Sequence, residues 1–416
     1  MDVISKSMNN LSFTSSSELR SSFSSEERVL DDEDLLALIF LRVPWKKLMT
    51  LKCVSKQWLC FITSSRFRKL LPPLRASGLY IHRLFKLGRP DRLYLIGLDN
   101  PQTNRRIFTS PHHSFVPPKF RILHSCNGLL LCAHNTNFRY NYYRNCCVWN
   151  PSTKQLDNIS QHPPGTRVSH IGLAFNPLKS LHYKVIAFVS EHGFKNVGFI
   201  YIYSSVTSTW RFSVQSFNPA PHLNFTDGVY WNGRVHWLSE LQDVNSVPKS
   251  DASECLCFNV DEERFETFPR PPIAVKATPR KCLYFGESEG HLHVIEVFPS
   301  TTSLKVYEMK SDYSGWFVKY KIPLAPISEV FPETTQHKTC LPGKNNFAVT
   351  VHSLIRRESF QEDPLLVLEI PGKLIWYNIV DRSTKVILDF GADFDRKRID
   401  YWEFGMLKVS QHIASL

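Results

Sequence analysis

The spacing of apolar residues changes once along the chain. Across residues 30–62 it is helical. Leu35, Ile39 and Val43 recur at intervals of four, with Leu36 beside Leu35, which predicts one apolar stripe. Asp31, Asp32, Glu33 and Asp34 stand where negative charge favours a helix N-terminus, and Pro44 follows Arg42 as a stop. A second short helix is expected from Lys46, with Leu48 and Leu51 inward. A third carries Val54, Trp58, Phe61 and Ile62. Three helices this short cannot bury a core of useful size alone, so the cassette needs a partner over its apolar surface.

Pro72 and Pro73 mark a boundary, and from about residue 78 the pattern is that of strands. Short apolar or alternating runs are separated by turn signals. Asn127-Gly128 precedes Leu129-Leu130-Leu131, and Asn232-Gly233 joins Val229-Tyr230-Trp231 to Val235-His236-Trp237-Leu238. Asn-Gly between such runs is a strong hairpin signal, because both turn positions need positive φ. The unit of strand, polar turn and strand also repeats. With Ile96, Trp149, Tyr203, Phe258, Val306 and Trp376 as anchors, the intervals are 53, 54, 55, 48 and 70 residues. A period near 50 over six occurrences fits a propeller of four-stranded blades. The longest interval implies an insertion, expected in the polar stretch from Arg356 to Pro364. Ring closure needs a strand from the far end, and Tyr401 to Leu416 is predicted to pair into the blade containing Leu79–Phe108. The rival architecture is two packed sheets without a ring.

Composition sharpens this picture. Aromatic residues make up 13% and Pro outnumbers Gly by 26 to 17, which favours strands and punctuated turns over long helices. Residues 1–28 form a Ser-rich tail, expected to be disordered, because it cannot bury enough apolar surface to order itself. The chain shows no secretory pattern and no apolar run approaching the ~18 residues of a membrane helix. A soluble protein of the cytoplasm, the nucleus or both is expected, with no membrane partner. The ten cysteines lack framework spacing, so they read as free thiols. Between Arg42 and Arg92 stand thirteen Lys or Arg and one acid, a surplus equal to the +12 of the whole chain. That block overlaps the helical pattern and lacks a nucleic-acid motif. It favours an encounter surface for an acidic protein over a nucleic-acid site.

Catalytic and metal signals are weak. Gly286-Glu287-Ser288-Glu289-Gly290 has the spacing of a hydrolase nucleophile elbow, but a strand pattern follows where a helix is required, so a hairpin turn is expected. Asp389-Phe390-Gly391 copies a kinase triplet without the companion loops and reads as a strand end. His291 and His293 share a strand face, and Cys255 and Cys257 are close in sequence, but neither pair has a further ligand set for zinc. No catalytic residue, metal or cofactor is expected. Trp149, Trp210, Trp231, Trp237, Trp316 and Trp376 read as blade core.

Residues 34–58 carry a longer pattern. Asp34-Leu35-Leu36-Ala37-Leu38-Ile39-Phe40-Leu41-Arg42-Val43-Pro44 leads into Trp45-Lys46-Lys47-Leu48 and then Lys52-Cys53-Val54-Ser55-Lys56-Gln57-Trp58. This resembles the F-box of plant proteins, with departures at Asp31, where Pro is usual, at Leu38, where Glu is usual, and at Trp45, where Val is usual. The remainder resembles the plant F-box-associated region, which is kelch-like and propeller-type. It does so through Ser125-Cys126-Asn127-Gly128-Leu129-Leu130, Trp149-Asn150-Pro151-Ser152-Thr153, Gly172-Leu173-Ala174-Phe175-Asn176-Pro177, Asn232 to Leu238, and His412 to Leu416.

The resemblance implies an α+β chain of separate domains. These are the tail at 1–28, a three-helix F-box at 29–70, a Pro-containing linker at 71–77, and an all-β domain at 78–416. The β domain is expected to be a six-bladed propeller closed by the C-terminal strand. It further implies a non-catalytic substrate receptor of a Skp–cullin–F-box ubiquitin ligase. Leu30, Leu35, Leu36, Ile39, Val43, Pro44, Leu48, Val54, Ser55 and Trp58 would hold a Skp-type adaptor and, through it, the cullin and RING subunits. The β domain would hold an unidentified target protein. The other readings are a non-degradative F-box scaffold and a propeller that binds a ligand or glycan.

Overall fold

A computed structural model describes residues 32–43, 45–71, 75–83, 92–98, 105–108, 120–134, 145–160, 167–190, 198–217, 223–225, 228–241, 254–272, 282–297, 302–336, 346–356, 362–390 and 407–413. The chain divides into two compact units between Pro72 and Pro73. The Ser-rich tail lies outside the described residues.

The first unit has four short helices, α1 (Glu33–Phe40), α2 (Trp45–Leu51), α3 (Lys56–Thr63) and α4 (Ser65–Leu70). The three expected from spacing are there, except that Val54 lies in the turn before α3 rather than on it, and α4 is an addition. Its sequence, Ser-Arg-Phe-Arg-Lys-Leu, buries one large apolar side chain, Phe67, and so has no stripe to read.

The second unit is a six-bladed β-propeller whose blades are four-stranded antiparallel sheets. Blade 1 is β1 (Ala76–Arg83), β2 (Arg92–Gly97) and β3 (Arg105–Phe108), completed on its inner side by β28 (Leu407–Ile413). Blade 2 is β4 (Phe120–Cys126), β5 (Leu129–His134), β6 (Asn145–Asn150) and β7 (Gln155–Asn158). Blade 3 is β8 (Arg167–Ala174), β9 (Lys184–Ser190), β10 (Gly198–Ser204) and β11 (Thr209–Phe217). In blade 4, a small pair, β12 (Leu223–Phe225) with β15 (Ser239–Leu241), flanks β13 (Val229–Trp231) and β14 (Arg234–Trp237). The blade continues through β16 (Glu254–Asn259) and β17 (Arg264–Pro269). Blade 5 is β18 (Cys282–Ser288), β19 (His291–Val297), β20 (Ser303–Met309) and β21 (Trp316–Pro323). Blade 6 is β24 (Thr350–Ile355), β25 (Leu365–Ile370), β26 (Lys373–Asn378) and β27 (Thr384–Asp389).

All six repeat anchors fall on the third strand of their blades, namely β2, β6, β10, β16, β20 and β26. The reason for the periodicity lies in the turn that follows. Asn150 Oδ1 accepts hydrogen bonds from Ser152 N and Thr153 N at 3.0 and 3.3 Å. Asn259 Oδ1 does the same for Asp261 and Glu262 at 3.2 and 3.1 Å, and Asn378 Oδ1 for Val380 and Asp381 at 2.9 and 3.3 Å. In blade 3, Ser204 Oγ accepts from Val206 N at 3.3 Å. Four residues after each of these caps the chain enters the left-handed region, at Lys154 (φ 62°), Ser208 (φ 54°), Glu263 (φ 53°) and Arg382 (φ 62°). A side-chain oxygen thus starts the turn and one left-handed residue ends it. The first-to-second-strand turns use mirror-image geometry, with Asn127 and Gly128 at φ 46° and 93° and Asn232 and Gly233 at 47° and 77°.

The extra length before the last anchor is residues 324–349, not the stretch from Arg356 to Pro364. It holds α5 (Ala325–Val330) and the small pair β22 (Thr335–Gln336) with β23 (Asn346–Phe347). Leu324, Ile327, Phe331, Phe347 and Val349 from it pack into the core shared by blades 5 and 6. Hydrophobic filling of that junction, rather than a polar loop, accounts for the insertion.

The innermost strands β28, β4, β8, β13, β18 and β24 touch one another in a closed circle. Tryptophans tie neighbouring blades together. Trp210, on the outer strand of blade 3, donates its indole N–H to Ser160 O of blade 2 at 2.7 Å. Trp316, at the matching place in blade 5, donates to Pro269 O of blade 4 at 2.7 Å, and Trp231 donates to Gly290 O of blade 5 at 2.6 Å. Ring closure follows the predicted pairing. β28 runs antiparallel to β1, from Arg83 opposite Leu407 to Ala76 opposite Ile413. Lys408 Nζ donates to Leu123 O of blade 2, while Gln411 Nε2 reaches Leu354 O of blade 6 at 3.0 Å.

Two expectations follow. Truncation at Asp400 should cost on the order of 5 kcal/mol or more, from lost burial of Leu407, Val409 and Ile413 and an opened sheet edge. Thermal melting by circular dichroism should show a large fall in midpoint; an unchanged midpoint would exclude closure by β28. The second concerns His236, whose ring is fully buried and stacks on Tyr313 at 5.7 Å with Nε2 2.9 Å from Tyr313 Oη. Burial pulls its pKa from 6.5 down to about 3. Between those values the unfolded chain binds more protons, so stability is lost as pH falls through that window. His236→Phe should lower the acid slope of the unfolding free energy, measured by urea titration from neutral to mildly acidic pH.

Candidate functional site

The helical unit is built on an aromatic centre. Phe40 meets Trp58 edge-on at 5.1 Å and lies 6.0 Å from Phe61 and 6.1 Å from Phe67. Leu36, Ala37, Leu48 and Ile62 complete the buried set. Side-chain caps hold the helices in place. Asp32 Oδ1 accepts from Asp34 N and Leu35 N at 2.9 and 3.2 Å, Ser55 Oγ from Trp58 N at 3.1 Å, and Ser64 Oγ from Phe67 N at 3.2 Å. Arg66 bridges α4 to α1 through Glu33 at 3.0 Å and Asp34 at 2.5 Å, exposed pairs that orient more than they stabilise.

The inward stripe of α1 is Leu36, Ala37 and Phe40, one position out of phase with the stripe read from spacing. Leu35 and Ile39 face outward, 41% and 47% exposed. With Leu38 at 57%, Val54 at 60% and Leu59 at 45%, they leave the unit rich in uncovered apolar surface. Of the residues implied to hold an adaptor, Leu35, Ile39 and Val54 are accessible, and Val43 and Trp58 are half-buried. Leu36 and Leu48 are enclosed in the core, and Ser55 is the exposed cap of α3. Leu30 and Pro44 lie outside the described residues. Sequence reasoning missed Leu38 and Leu59 as surface apolar positions. Because α1 is apolar nearly all round, its 3.6-residue period fits two faces equally well.

A second site lies on the propeller axis. β4, β13, β18, β24 and β28 enclose a cavity of about 420 Å³ lined by residues including His124, Tyr230, Tyr284, Glu287, His352 and Lys408. The expected hairpin at Gly286 to Gly290 places Glu287 there. β18 turns at Glu289 and Gly290, with φ 48° and 80°, directly into β19. Next to it, a Cβ at Gly286 would press on the Tyr284 ring, which packs over that position. Most cavity side chains are already engaged. His124 Nδ1 accepts from Leu173 N at 3.0 Å, and Asn127 Nδ2 donates to Phe175 O at 2.7 Å. The Cys126 thiol donates to the same carbonyl at 3.3 Å, and burial pushes its pKa well up. His352 Nε2 lies 2.6 Å from Glu369 Oε2. Burial lifts the Tyr284 hydroxyl to about 12 and the Glu287 carboxyl to about 7.

Elsewhere, His291 and His293 both turn to Glu308, at 3.2 and 3.1 Å, and Arg356 approaches it at 3.4 Å, so the two histidines serve a buried ion cluster. Asp389 ends β27, as expected of a strand end, and the Phe390 ring lies 4.5 Å beneath the Arg83 guanidinium. Trp149, Trp231, Trp237 and Trp376 are buried, as blade core should be. No helix among the described residues is long and apolar enough to cross a membrane.

The chain thus joins a capped helical cassette with uncovered apolar surface to a six-bladed ring. The model of the F-box associated beta propeller domain matches residues 92–315. F-box protein At5g07610 of Arabidopsis thaliana is 32% identical over 420 residues, covering 95% of this chain and 94% of that protein. F-box protein At5g49610 of the same plant is 26% identical over 372 residues, covering 85% and 96%. The chain belongs to the plant F-box proteins that carry an F-box associated β-propeller domain.

The two kinds of apolar position in the cassette should respond differently to substitution. Phe40→Ala should cost about 3–5 kcal/mol and unfold the cassette. Leu35→Asp with Ile39→Asp should leave it folded. Hydrogen exchange of residues 33–70 in the full chain distinguishes the two.

Proposed function

We propose that this chain is the substrate-recognition subunit of a Skp–cullin–F-box ubiquitin ligase. The observation that carries the reading is the exposed set Leu35, Leu38, Ile39 and Leu59 on the helices, with Val54 in the turn before α3, of a unit whose own core is already filled. Leaving that much apolar surface in water is unfavourable, and a partner covering it recovers roughly 25 cal/mol per Å². The partner is a Skp-type adaptor, which brings the cullin and RING subunits. The positive block from Arg42 speeds encounter with an acidic adaptor surface. Leu36, Phe40 and Leu48 act from behind by holding the helices that present the face.

The propeller holds the target protein. Its part in ubiquitin transfer is proximity: a bound target presents its lysines at high effective concentration to the charged carrier enzyme. That role asks for no nucleophile or cofactor in this chain, and it places the protein in the cytoplasm, the nucleus or both.

Wild-type full-length protein should bind a recombinant Skp-type adaptor in calorimetry, and Leu35→Asp with Ile39→Asp should weaken binding at least 100-fold, about 2.7 kcal/mol. Absence of wild-type binding would remove the ligase reading. Where the adaptor binds but depletion of this protein leaves the half-lives of its captured partners unchanged, the chain is a non-degradative scaffold instead.

A further inference from the structure

The axial cavity has a chemistry of its own. Each strand around it is the innermost of its sheet and pairs on its outer side only. Inner-edge N–H and C=O groups therefore face the cavity and need water or a polar molecule. At about 420 Å³ the space falls within the roughly 300–1,000 Å³ of small-molecule sites.

Glu287 stands apart from the other polar side chains there. Lys408 is bonded to Leu123 O, Gln411 to Ser353 Oγ and Leu354 O, and His352 to Glu369. Glu287 takes one hydrogen bond, from Gly290 N–H to Oε1 at 2.6 Å, and no Lys or Arg pairs with it among the described residues. Tyr230, Tyr284 and Phe285 are among the residues that line the same cavity. A half-buried carboxyl with no Lys or Arg paired to it, in a cavity whose wall includes aromatic residues, is a combination that holds an ammonium group, through a charge-assisted hydrogen bond and cation–π attraction. We propose that the axial cavity binds a small organic amine in its ammonium form, with Glu287 as the counter-ion and the aromatic rings against its charge and methylenes. A neutral polyol would leave the carboxyl without a countercharge, and an apolar ligand would leave the strand edges unsatisfied.

The titration of Glu287 accords with that role. Burial raises its pKa to about 7, against the Gly290 hydrogen bond and the charge of His291, which lower it. The titratable groups around it are His124 and Cys126 on β4, Tyr230 on β13, Tyr284, Glu289 and His291 on its own hairpin, His352 on β24 and Lys408 on β28. An ammonium ion binds the ionised carboxylate, so binding strengthens as pH rises through about 7 and releases a proton below it.

The test is calorimetry of the full-length protein with ethanolamine and putrescine, and with glycerol as the neutral probe. Both amines should bind and glycerol should not. Amine affinity should fall about tenfold from pH 8 to pH 6, since roughly one carboxyl in eleven is ionised at the lower pH. Glu287→Gln, which can still accept the Gly290 N–H, should weaken amine binding at least tenfold with an unchanged melting midpoint. Should that variant fail to fold, proton release by the wild type decides, read near pH 7 in buffers of different ionisation enthalpy. Glycerol binding as well as the amines, an affinity independent of pH, no proton release, or no heat from any probe at millimolar concentration would overturn the proposal.

Discussion

The propeller depends on the pairing of its last strand with its first. A sheet edge left open exposes a row of unmatched N–H and C=O groups and loosens the blade that carries it. Here β28 comes back from the far end of the chain to sit inside β1, so no blade is left with three strands. Lys408 and Gln411 then fasten that strand to blades 2 and 6, on either side of it. The same pairing completes the axial cavity, whose wall β28 shares with strands from four other blades. Fold closure and cavity are thus one structural event, and a chain cut short of Leu407 would lose both.

Between blades, tryptophans and a few engaged polar groups make the hydrogen bonds that cross the junctions. Trp210 and Trp316 occupy matching places in blades 3 and 5 and reach back to the preceding blade, while Trp231 reaches forward. Each leaves an apolar ring in the core and satisfies its one donor across the junction. Residues 324–349 do the equivalent between blades 5 and 6 with Leu324, Ile327 and Phe331. The helical cassette solves the opposite problem. Its core is filled by Phe40 and its neighbours, while Leu35, Leu38, Ile39, Val54 and Leu59 stay at the surface. One unit is closed on itself and the other is left with apolar residues to cover.

The sequence by itself determined the repeat. Asn150, Asn259 and Asn378 cap backbone amides two and three residues ahead, a purely local requirement, and so the six anchors can be read in order from spacing alone. The Asn-Gly hairpins and the F-box pattern were legible for the same reason, and the terminal apolar run sufficed to place β28. Tertiary structure alone decided the rest. Leu35 and Leu36 are adjacent and equally apolar, and only the packing of the helices around their aromatic centre chose Leu36 for the core. The insertion is placed by where Leu324, Ile327 and Phe331 pack, between blades 5 and 6, which spacing does not report. Glu287 sat in a turn motif with nothing local to distinguish it. Its character comes from strands of four other blades, all more than fifty residues away in sequence, which line the same cavity, and no local pattern can report a desolvation that distant strands impose.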